Sequence, residues 1–125
     1  MIKKQEQTNL TILLFGKISD NESNKLSELG TVVPIGLPYV RGDEKVDDKV
    51  QIFLDSKLSK LEFKSENAIA ILKGEVAIAD AIKLQLDKLG IKCFSAVFGI
   101  RNNTEPGRPE LLFLRQIRGS LTINL

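Results

Sequence analysis

Four short apolar runs punctuate the chain: "TILLF" (11–15), "TVVPIG" (31–36), "AIAIL" (68–72) and "FSAVFGI" (94–100). Each is nearly continuous rather than alternating, the pattern of strands buried on both faces. The segments between them have helical period. Ser19 followed three residues later by Glu22 has the spacing of a capping box, and Leu26 and Leu29 mark the buried side of a short helix that Gly30 stops. A longer helix is predicted over roughly 43–61, where Val46, Val50, Leu54, Leu58 and Leu61 recur at threes and fours. A third is predicted over about 75–89, with Ile78, Ile82, Leu86 and Leu89 on one side and Gly90 as its stop.

After the fourth run the pattern changes. "RNNTEPGRPE" (101–110) is a turn-rich loop, and "LLFLRQI" (111–117) follows too closely for a crossover helix, so antiparallel pairing is expected. In "SLTINL" (120–125), Leu121, Ile123 and Leu125 alternate with polar residues, which fits either a continuation of that strand or a separate strand folded back. The expected architecture is α/β: a single Rossmann-like domain over 9–125, three helices, a mainly parallel sheet and an antiparallel C-terminal strand or hairpin, preceded by a polar extension over 1–8.

Composition narrows the function. At 125 residues the chain suits one domain. Its 18 basic and 16 acidic residues leave a net charge of +2, without the general positive field of a nonspecific DNA binder or a membrane-surface protein. No apolar stretch approaches the roughly 20 residues of a membrane helix, and a cytoplasmic location is expected. With no histidine and only Cys93, an internal disulfide, the Ser-His and Cys-His nucleophile pairs and most zinc sites are excluded. No metal and no cofactor are expected.

In open α/β sheets ligands bind beyond the carboxyl ends of the parallel strands, where helix N-termini offer unpaired N–H groups. Four loops lie there. They carry Gly16, Lys17 and Ser19; Tyr39 and Arg41; Lys73 and Gly74; and Arg101, Asn102 and Asn103. Glycine beside lysine lets backbone approach a phosphate closely, although turns and solvated loops account for any one of these segments equally well. Gly16-Lys17 is not a Walker A loop, since position 11 is Thr and Ile18 follows the lysine, and no G-x-G-x-x-G is present. Asp43, Glu44, Asp47 and Asp48 are read as the acidic first turns of the second helix, not as a carboxylate site. Four of the five arginines fall in the last 25 residues, either as a basic rim or as guards of an edge strand.

The layout "ILLFGKISDNESNKLSEL", then "AIAILKGEVAIADAIKLQLDKLGIKCFSAVFGI", then "PELLFLRQIRGSL", resembles the small CARF-related proteins that accompany type III CRISPR systems. That resemblance implies binding of a cyclic oligoadenylate, expected to be cyclic tetra-adenylate; independently of it, a chain this short would supply half of such a symmetric site and a homodimer the whole, with further assembly on ligand binding. The resemblance also implies a role in lowering the antiviral signal, by sequestration or as a ring nuclease. Members often carry a Ser-His pair at the place of Gly16-Lys17, so no family role passes to those two positions. From the residues alone, Lys17, Lys73 and Arg101 are candidate phosphate contacts, Asn102 and Asn103 candidate readers of adenine edges, and Tyr39 a candidate stacking ring. Lys17 and Arg101 are the candidate catalytic cations. With no histidine and no carboxylate at the strand ends, the evident proton carriers are Ser19, Tyr39 and the lysines, residue types whose ordinary pKa values are far from 7, so binding without efficient turnover is expected. The alternative is a small α/β protein-interaction module with no nucleotide ligand.

Overall fold

Thr11–Phe15 forms β1, with all but Thr11 buried, so this strand must lie inside the sheet. A computed structural model, which describes residues 10–100 and 109–125, shows why. The remaining strands and α-helices are α1 (Asp20–Leu29), β2 (Thr31–Pro34), α2 (Val46–Leu58), β3 (Ala68–Leu72), α3 (Val76–Lys88), β4 (Lys92–Gly99), β5 (Glu110–Gln116) and β6 (Thr122–Asn124). A single six-stranded sheet has the order β2-β1-β3-β4-β5-β6. The first four strands are parallel, and β5 and β6 are antiparallel to their neighbours. This is a small Rossmann-like α/β domain.

From β1 the chain moves one way to β2 and then back across β1 to β3. With one hand of crossover, that reversal sends α1 to one face and α2 and α3 to the other. Leu13 and Phe15 accordingly pack with Val50 and Leu54 of α2 and Ile78, Ile82 and Leu86 of α3. Ile12 and Leu14 pack with Leu26 of α1, together with Ile69, Ile71 and Phe94. Only β1 and β3 are buried along nearly their whole length. The expectation of double-sided burial fails for β2, an edge strand with no buried residue, and for β4, where only Cys93 and Phe94 are buried.

Local signals placed the ends of α1 well. Ser19 Oγ accepts from the Glu22 N–H at 3.3 Å, and Glu22 Oε1 accepts from the Ser19 N–H at 3.3 Å. Gly30 closes the helix by donating to Leu26 O. The helix expected over 43–61 is shorter at both ends. Glu44 Oε1 accepts from the Arg41 N–H at 3.0 Å and holds 41–44 as a turn, so Asp43 and Glu44 precede the helix and only Asp47 and Asp48 lie in its first turn. The helix expected over 75–89 spans Val76–Lys88, and Leu89 is half exposed beyond it. The run at 31–36 stops pairing at Pro34, since Gly36 turns the chain away with φ +85.

The C-terminal segment folds back as a separate strand, β6, whose Ile123 faces Leu114. Along β5 a bulge decides which side chains meet α1. Val97 pairs with Phe113 but Phe98 with Leu111, leaving Leu112 as an extra residue. Leu111 and Leu114, three apart, thereby face the same side and join Leu26. Lys25 of α1 ties this strand down, donating to Leu111 O at 2.7 Å and pairing with Glu110 at 3.6 Å.

Cys93 is enclosed on the α3 side of β4, and burial, with a smaller contribution from Asp87, pushes its thiol up from 9.0 to about 12. A folded-state value above the unfolded one contributes stability that is complete below about pH 9 and is lost as pH rises from there through about 12. The folded protein is expected to leave an aromatic disulfide reagent unreacted at pH 8 and to release one equivalent of thiol in denaturant. Prompt reaction in the folded state would contradict this burial. No helix among the described residues is long and apolar enough to cross a membrane.

Candidate functional site

The reversal of strand order puts the switch point between β1 and β3, and the loops that follow these two strands meet there. Gly16 has φ +124, and a Cβ at that position would lie 2.7 Å from Lys73 Cβ. The Gly16 backbone therefore lies closer to the Lys73 side chain than a residue with a Cβ would allow. On the other side of the crevice, a Cβ on Gly74, φ +89, would lie 2.6 Å from Leu37 Cδ1, because the loop after β2 crosses the end of β1 to reach it. The sequence-predicted residues Gly16, Lys17, Ser19, Lys73 and Gly74 are thus brought together.

Their side chains are engaged unequally. The Lys73 ammonium is ion-paired with Glu22, donates to Lys17 O at 2.9 Å, and lies 5.6 Å from the centre of the Phe98 ring. The Ser19 hydroxyl belongs to the cap of α1. Lys17 is exposed, and its ammonium has no partner among the described residues. The start of α3 differs from that of α1: its N-cap residue Glu75 makes no side-chain cap hydrogen bond, so among the described residues the first N–H groups of α3, next to Gly74, have no side-chain cap.

Tyr39 and Arg41 sit farther out. The Tyr39 side chain is 83% exposed. Arg41 lies 3.4 Å from both Asp43 and Glu44, and Glu44 is also 2.7 Å from Lys49. The Lys49 hydrogen bond, then the Arg41 N–H, hold the Glu44 carboxyl below its ordinary value. Arg41 is therefore committed to its own loop and does not point its charge freely into the crevice. Arg101, Asn102 and Asn103 lie outside the described residues.

Sequence reasoning missed two members of the site. Glu22 was read only as a cap, yet it is 4% exposed and reaches across to Lys73. The signal was its position: Glu22 and Leu26 are four apart, so a carboxylate stands on the buried stripe of α1. Phe98 was read as strand core, whereas it lies exposed beside Lys73. It joins Leu37, Tyr39, Val76 and Ile100 among the exposed apolar side chains at the carboxyl ends of the strands. A cavity of about 250 Å³ also opens along α3, between Gly74, Val76, Ala79 and Ile117. Lys73 also lines it, while its ammonium pairs with Glu22 of α1.

Compared with known proteins, the chain matches no family, no curated protein and no solved structure.

Proposed function

We propose that the protein binds a cyclic oligoadenylate, cyclic tetra-adenylate first among them, at the β1–β3 switch point and lowers type III CRISPR signalling by sequestering it in the cytoplasm. The observation that carries this reading is the convergence of two glycine-lysine turns, Gly16-Lys17 and Lys73-Gly74, beside an N-terminus of α3 that its N-cap side chain does not cap. Such an edge offers backbone N–H groups and a cation to phosphate with no metal. Lys17 is the cation best placed to meet a phosphate, since its charge is not consumed within the described residues. Tyr39 and Phe98 are exposed rings on which adenine can stack. A chain this small supplies half of a ring-shaped site, so a homodimer would supply the whole, with further assembly on ligand binding open to it.

Turnover has less support. Cleavage without a histidine would rest on a cation stabilising the attacked phosphate, with Lys17 or Arg101 in that role, and on in-line positioning of the ribose 2'-hydroxyl. The preferred reading is binding with slow, chelator-insensitive ring opening at most.

Calorimetry with cyclic tetra-adenylate tests the proposal. Affinity is expected to fall with salt, and Lys17→Ala is expected to weaken binding by about 1–3 kcal/mol, the range of a charge-assisted hydrogen bond. Absence of heat and of thermal stabilisation with every cyclic oligoadenylate would overturn it. That outcome would favour a protein-interaction module, a second reading supported by the exposed apolar side chains Leu37, Val76 and Ile100 at the same edge.

A further inference from the structure

The carboxylate at the floor of this edge is chemically more than the cap needs. Glu22 stands three residues after Ser19, where glutamine would serve a capping box as well as glutamate does. Its Oε1 makes the cap, accepting from the Ser19 N–H at 3.3 Å, while Oε2 takes Lys73 Nζ. With Lys17 O at 2.9 Å, the Lys73 ammonium has two hydrogen-bond acceptors, and it lies 5.6 Å from the centre of the Phe98 ring, within cation–π range. An anion arriving beside Gly16 and Gly74 meets a lysine already neutralised, with a charge of its own sign behind it.

We propose that Glu22 is a built-in competitor for the anion site: its carboxylate and a ligand phosphate contend for Lys73, and the ion pair holds affinity below what the two lysines would otherwise give. This rests on the nucleotide-binding reading above and adds its regulation. The pair bridges α1 and the end of β3, so an anion that draws Lys73 away also loosens the contact between these elements. Ligand occupancy is thereby coupled to the seating of α1.

Glu22→Gln separates the charge from the cap. In calorimetry with cyclic tetra-adenylate, this variant is expected to bind at least about tenfold tighter than the unaltered protein, because a like charge a few ångströms from the phosphate has been removed. Its salt dependence should also be steeper. The gain is expected to vanish in Glu22→Gln with Lys73→Gln, the non-additivity that marks a shared partner. The unaltered protein supplies a second measurement: saturating ligand should change the acylation rate of the Lys73 amine by an N-hydroxysuccinimide ester, followed by peptide mass spectrometry. Equal or weaker binding by Glu22→Gln would overturn the inference, as would a Lys73 rate unchanged at saturation. In both cases, measurable binding by the unaltered protein leaves the nucleotide reading standing. Failure of both proteins to bind would overturn the two together.

Discussion

Gly16→Ala is expected to destabilise the protein by roughly 2–6 kcal/mol and to abolish whatever the carboxyl edge binds. Two separate costs combine. The backbone at φ +124 is strained for any residue with a Cβ, which costs on the order of 1–3 kcal/mol. The added methyl would also stand 2.7 Å from Lys73 Cβ, and that atom belongs to the root of a side chain anchored at its far end by Glu22 and Lys17 O. The backbone fixes that Cβ, and the ion pair holds the Lys73 Cγ and Cδ that would also crowd the methyl at 3.4 and 3.3 Å, so overpacking adds roughly 1–3 kcal/mol. Gly36→Ala is the control. Gly36 has φ +85 but nothing within 4 Å of its would-be Cβ, so it carries the backbone cost alone. Urea unfolding of both variants measures the difference. If Gly16→Ala is no more destabilising than Gly36→Ala, the close approach of the β1 and β3 loops is not rigid and the site built on it falls.

Leu26→Ala is expected to cost about 3–4 kcal/mol, within the range for leucine truncations that leave a cavity. For a domain of this size that is a drop in Tm of roughly 10–25 °C. Leu26 has no exposed surface and is the one buried apolar side chain of α1, the only one of the described α-helices on its face of the sheet. It meets side chains from β1, β3, β4 and β5, a lining drawn from too many elements to collapse inward at once. Leu29→Ala, at a half-buried position on the same helix, should cost clearly less. Thermal unfolding followed by far-ultraviolet circular dichroism reads both. Equal, small shifts would mean that α1 is held by Lys25, Glu22 and its caps and not by packing.

The two predictions also meet at α1. Its N-terminal turn carries Glu22 to the site, and its next turn carries Leu26 to the core. Loss of the core contact should therefore disturb the Lys73 ion pair, whereas Glu22→Gln should leave the core intact. Ligand binding and unfolding measured on the same variants distinguish these effects.

What the chain determined by itself was whatever depends on neighbours a few residues away. The continuous apolar runs marked β1 and β3, and the i, i+3 reciprocity of Ser19 and Glu22 set the start of α1, because a cap closes within a single turn. Gly30 ended that helix, and the short connection before β5 was enough to require an antiparallel partner. Placing the candidate loops at one edge needed only the alternation of strands and helices. The tertiary structure decided the rest. That Gly16-Lys17 and Lys73-Gly74 are immediate neighbours follows from β1 and β3 lying side by side, a pairing between residues far apart in the chain. The salt bridge from Glu22 to Lys73 spans 51 positions and has no local signature, so a residue read as a cap became the counter-ion of the site. The bulge at Leu112, which turns Leu111 and Leu114 to one face, depends on how β5 must bend to reach α1, and no period in the sequence carries that information.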